Sequence, residues 1–145
     1  MRRLLVTALL LSATSSRADP PIATGVLSVQ LVDLRSNNGK IGCALFNSDR
    51  GFPKDRNTAL QTKWCALANK ESLCSFDPVP AGTYAVACFH DENNNGRMDT
   101  GLFGIPTEGY VASNHAKGFM GPPSFNAAKF SFPGVATQLR LKMGY

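Results

Sequence analysis

The chain reads as an all-β protein: an antiparallel β-sandwich with a long loop after its central strand. Three observations predict it. Apolar residues alternate over short runs, turn residues separate those runs, and helix signals are weak. Gly25 to Asp33 places Leu27, Val29 and Leu31 on one face. Lys40 to Asn47 is a second strand, and the Asn37-Asn38-Gly39 turn before it suits a hairpin. Thr62 to Leu67 and Ser72 to Asp77 flank Asn69-Lys70 as a further strand pair. The Pro78-Val79-Pro80 stretch is read as a break, and Gly82 to His90 as the central strand. Residues 53–61 are a loop or short helix. Lys129 to Phe132 and Thr137 to Met143 close the chain, with Leu139, Leu141 and Met143 set against Gln138, Arg140 and Lys142. That alternation fits a sheet with one wet face.

The first eighteen residues have the form of an export signal. Arg2 and Arg3 precede the apolar run Leu4 to Leu11, and Ser16-Arg17-Ala18 offers small residues for cleavage. The run is shorter than the roughly 20 residues a membrane-spanning helix requires. Residues 19–145 then form one domain, exported to the periplasm or beyond. Formal charge falls from +5 to +2 once Arg2, Arg3 and Arg17 are removed. A charge of that size without a basic stripe argues against nucleic acid as a partner; an envelope or extracellular partner is the expectation.

Four cysteines, Cys43, Cys65, Cys74 and Cys88, contain no C-x-x-C pair, so disulfides are favoured over zinc. If Asn69-Lys70 is a two-residue turn, Ala68 faces Glu71 and Cys65 falls opposite Cys74. Cys43 and Cys88 are then left to join two longer strands.

Chemistry is densest at residues 91–99, Asp-Glu-Asn-Asn-Asn-Gly-Arg-Met-Asp. In the register of a calcium loop, Asp91, Asn93, Asn95, the Arg97 carbonyl and Asp99 supply hard oxygen ligands, and Gly96 supplies the bend. Position twelve is Leu102 rather than glutamate, and a strand rather than a helix precedes the loop. Water, Glu108 or a later carbonyl must therefore complete the shell of a weak, structural Ca2+ site. The competing reading is a solvated Asn/Gly turn.

Thr100 to Ala127 shows little periodicity. It is either a binding surface presenting Glu108, Tyr110, Asn114, His115 and Phe119, or a lid whose aromatics plug the open end of the sandwich. Catalytic readings are poor. Ser113 and His115 are close in sequence, His90 and His115 could share zinc with Asp91 or Glu108, and Asp91 with Glu108 could act as an acid/base pair. None has a supporting motif, and no catalytic residue is assigned.

The segment AGTYAVACFHDENNNGRMDTGLFGIPTEGY, followed by SNHAKGFMGPPSFNAAKF, resembles the exported bacterial family known as domain of unknown function 2141. The resemblance runs from the Gly25 strand to Met143. It implies a secreted or periplasmic β-sandwich of transthyretin-like or immunoglobulin-like topology and lends no catalytic residue. The expected function is an exported non-enzymatic module with a calcium-ordered loop. The alternatives are a ligand- or carbohydrate-contacting surface module using residues 100–127, and a hydrolase.

Overall fold

The structure, a computed structural model, describes residues 17–145. The expected export signal at residues 1–18 lies, but for its last two residues, outside the described residues. Among the described residues nine strands form two sheets: β1 (Thr24–Val32), β2 (Lys40–Phe46), β3 (Gln61–Cys65), β4 (Leu67–Ala68), β5 (Glu71–Pro80), β6 (Gly82–Asp91), β7 (Tyr110–Ala112), β8 (Phe130–Phe132) and β9 (Thr137–Lys142). One sheet has the order β4-β5-β1-β9. The other runs β3-β2-β6-β7, with β8 also pairing β6. Pairing is antiparallel except between β1 and β9, which run parallel. The protein is thus the expected β-sandwich, closed by one parallel pair.

Period-two alternation accounts for the core. Leu27, Val29 and Leu31 of β1 are fully buried, and so are Ile41, Cys43 and Leu45 of β2. On β9, Leu141 is buried and Leu139 partly so, while Gln138, Arg140 and Lys142 face solvent. β2 departs from the one-wet-face pattern because its outer surface is covered as well. Phe46 meets Phe52 edge-on at 5.2 Å, and Phe52 meets Phe125 at 5.8 Å. Phe125 opens a single helical turn, α1 (Phe125–Ala128), capped by the Ser124 hydroxyl.

Three expectations are corrected. Asn37-Asn38-Gly39 is not a hairpin turn: β1 already has β5 and β9 on its two edges, so the chain crosses to the other sheet before starting β2. Pro78-Val79-Pro80 does not break the strand. β5 runs on to Pro80 through a bulge between the Leu27↔Phe76 and Gly25↔Val79 pairs, a place where proline's missing N–H is tolerated. Residues 100–127 are not one featureless loop: they contain β7, the 3-10 turns Leu102–Gly104 and Ser113–His115, and the start of the helical turn α1.

Both disulfides are present as expected, Cys43–Cys88 and Cys65–Cys74. Cys43 and Cys88 are direct partners in the β2–β6 ladder, with Cα atoms 4.1 Å apart. The turn argument holds for Ala68↔Glu71 and Leu67↔Ser72, but Cys65 is not in that ladder. It pairs with Ile41 in the other sheet, because the chain changes sheets at Ala66, whose carbonyl accepts from the Ser72 hydroxyl at 2.7 Å. The Cys65–Cys74 bond therefore joins the two sheets. Replacing Cys65 and Cys74 together by Ala should lower the unfolding free energy in urea by about 2.7 kcal/mol, and the Cys43/Cys88 double variant by about 4 kcal/mol, on loop-closure entropy alone. Equal losses would show that loop length does not govern the effect.

Candidate functional site

β6 ends on Asp91, whose side chain is completely buried. A buried carboxylate is costly unless every oxygen has partners. Here Oδ1 accepts from the Asn95 N–H at 3.0 Å and Oδ2 from the Gly96 N–H at 2.9 Å. Lys40, its ladder partner on β2, brings Nζ to 3.8 Å. Directing two successive N–H groups inward requires a sharp bend, and Asn94 and Gly96 provide it with φ of 58° and 81°. A side chain at Gly96 would meet open space, so backbone conformation alone accounts for the glycine.

Above that bend the loop side chains converge. Asp99 accepts from Asn93 Nδ2 at 2.6 Å and Asn95 Nδ2 at 2.7 Å. Asn93 Oδ1 accepts from the Asn95 N–H, and Asn95 Oδ1 from the Arg97 N–H. Glu108 fastens the two ends of the loop: Oε1 accepts from the Glu92 N–H at 2.9 Å and Oε2 from the Asp99 N–H at 3.0 Å. The structure thus brings Asp91, Asn93, Asn95, Asp99 and Glu108 into one knot. The exposed Arg97 stands at its rim, with Nε 3.6 Å from Asp99.

A hard cation at this knot would draw on the oxygens of the loop. Asp99 faces two amide groups whose oxygens would serve once each amide is rotated, and the Arg97 carbonyl belongs to the same turn. Glu108 and Asp91 are committed to backbone N–H groups, and Lys40 and Arg97 would repel an incoming ion. Among the described residues no three His, Cys, Asp or Glu side chains converge. Amide and backbone oxygens would carry most of the shell.

The other site residues lie apart from the knot. Tyr110 is part-exposed on β7 and exchanges both backbone hydrogen bonds with Gly144. Asn114 spans α1 by donating to the Ala127 and Lys129 carbonyls. His115 Nε2 accepts from the Lys142 N–H at 3.1 Å. Phe119 is 94% exposed and Phe103 97% exposed, so neither plugs the sandwich. The lid reading fails for both, because their rings are left to solvent; Phe125 packs as an anchor, on Phe52.

Neither Ser113 nor His90 is hydrogen-bonded to His115. The buried Ser113 hydroxyl donates to the Ala128 carbonyl at 2.6 Å and accepts from the Val86 N–H at 2.9 Å. His90 is fully buried, its Nε2 donating to the Asn38 carbonyl and its Nδ1 accepting from the Tyr145 hydroxyl, both at 2.7 Å. The bond to Tyr145 joins residues 55 positions apart, so the sequence does not reveal it. Arg35 completes the cluster, lying over the Tyr145 ring and pairing with Glu92 at 2.6 Å. Burial raises the Tyr145 hydroxyl above its ordinary value. The alternation that buries Val86 and Cys88 also points His90 inward, and that signal could have identified it.

Hydrogen bonds from Asn95 and then Asn93, helped by Arg97, hold the Asp99 carboxyl below the usual carboxylate range. A depressed carboxyl stabilises the folded loop above its unfolded value of about 3.9, and that contribution is lost as pH falls through the folded value. In an NMR titration the Asn93 and Asn95 side-chain amides should move together only below about pH 3.9. Movement above that pH, or in Asp99→Asn, would contradict the assignment.

Among the described residues no helix is long and apolar enough to cross a membrane. No curated protein and no solved structure matches the chain. A family model described as "Uncharacterized protein conserved in bacteria (DUF2141)" matches residues 29–140, which spans the sandwich from β1 to β9 together with the 91–99 knot. With most of its length matched, the chain belongs to the DUF2141 family.

Proposed function

We propose that the chain is an exported, non-enzymatic β-sandwich module of the cell envelope, in the periplasm or outside the cell, and that its 91–99 loop takes Ca2+ as a structural brace. One observation carries the calcium reading: Asn93 and Asn95 meet Asp99 at 2.6–2.7 Å in the loop whose Asn95 and Gly96 amides the buried Asp91 holds. Without an ion the loop is held by amide-to-carboxylate bonds. With one, the same groups would turn their oxygens inward and the ion would replace those bonds. The two disulfides support an oxidising compartment. Two carboxylates, one of them already engaged by backbone, support a dissociation constant in the millimolar class typical of extracellular modules.

A second reading, a ligand- or carbohydrate-contacting surface formed by residues 100–127, is favoured by the exposure of Leu102, Phe103, Ile105 and Phe119. Large apolar side chains exposed on turns suit contact with a partner.

Calcium at about ten times a millimolar dissociation constant should stabilise the fold by about 1.4 kcal/mol. That corresponds to a rise of about 5 °C in Tm. Magnesium at equal ionic strength should give a smaller shift, and Asp99→Ala none with calcium. An unchanged Tm, or an equal rise in Asp99→Ala, would overturn the calcium reading.

A further inference from the structure

On the outer surface of the second sheet the strand register lines up four residues in one row. Trp64 of β3 lies opposite Gly42 of β2, Gly42 opposite Phe89 of β6, and Phe89 opposite Tyr110 of β7. Gly42 is the notch that lets the large rings meet. A Cβ there would lie 2.6 Å from Phe89, 2.8 Å from Trp64 and 3.1 Å from the Arg56 guanidinium. Trp64 stands edge-on to Phe89 with centroids 5.7 Å apart, and both Trp64 and Tyr110 remain well exposed.

Two cations pack on this row. Lys40 Nζ is 4.2 Å from the Trp64 ring centre, and the Arg56 guanidinium is 4.8 Å from Trp64 and 5.6 Å from Phe89. Arg56 is half-buried and forms no ion pair among the described residues; its hydrogen bond is a long one, 3.4 Å, to the Lys63 carbonyl. Removing a guanidinium from water without supplying an anion is unfavourable. Burial accordingly lowers its pKa from the ordinary value. The aromatic row fixes the position of the cation and leaves its charge uncompensated, which is the arrangement an incoming oxyanion requires.

We propose that this row is a binding site for an acidic saccharide, its carboxylate, sulfate or phosphate group held by Arg56 and Lys40 and its ring beside Tyr110. Neutral sugars and nucleobases use open aromatic faces for stacking. Here two cations already lie on Trp64, so the surface selects for negative charge. From Trp64 to Tyr110 the row crosses three inter-strand spacings, about 14 Å in all, enough for a few linked sugars. The site adjoins the calcium loop through Lys40, which also pairs with Asp91, but it needs no bound calcium.

Trp64 is the sole tryptophan of the chain, so its fluorescence reports directly on the row. The folded protein is titrated at low salt with oligogalacturonate, a neutral oligosaccharide of equal length, polyglutamate and inorganic phosphate. The proposal requires a saturable change with oligogalacturonate that is at least about tenfold weaker in Arg56→Met, in line with the loss of a charge-assisted hydrogen bond, and unchanged in Arg140→Gln, which lies on β9 of the other sheet. An absent response, an equal response to the neutral sugar, polyglutamate or phosphate, or undiminished binding by Arg56→Met would overturn it. Should Arg56→Met fail to fold, Lys40→Met is judged by the same criteria.

Discussion

The buried Asp91 carboxylate is the constraint on which the rest of the candidate site depends. It sits where the central strand ends, out of reach of solvent, and the loop that follows must bend back to give it hydrogen-bond donors. That bend explains the left-handed residues Asn94 and Gly96 and brings Asn93, Asn95 and Asp99 together. Glu108 then secures the return path by taking one N–H from each end of the loop. The polar density of residues 91–99 is therefore first a solution to burying a charge, and only then an opening for a cation.

The same residue links the two surfaces of interest. Lys40 reaches Asp91 with its ammonium group while packing on Trp64. The second sheet thus carries a negative knot at one end of β6 and a cationic aromatic row beside it. Both involve the β2–β6 ladder, which is tied at Cys43 and Cys88.

Much of this was legible in the sequence because local rules decide it. Alternation predicted the faces of β1 and β9, and the Asn69-Lys70 turn predicted the Ala68↔Glu71 pair. Spacing around Gly96 marked out the loop, in which Asn93 and Asn95 donate to Asp99. What escaped were matters of tertiary partnership. Nothing local says that β1 already has two neighbours, which is why Asn37-Asn38-Gly39 looked like a hairpin. The parallel β1–β9 pair joins distant segments, and the bond from Tyr145 to His90 spans 55 positions. The Trp64–Gly42–Phe89–Tyr110 row needs three ladder registers at once, so composition could not reveal it. The exposure of Phe103 and Phe119 ran against the usual habit of aromatics in glycine-rich loops.

Hydrogen exchange at single amides tests the role of Asp91 most directly. In the wild-type protein the Asn95 and Gly96 amides should be protected, although they lie in an irregular loop. In Asp91→Asn, which offers those two donors one oxygen and a competing NH2 group, both should exchange much faster while Val29 and Val86 keep their protection. If Asn95 and Gly96 remain protected in the variant, the loop is held by something other than the buried carboxylate.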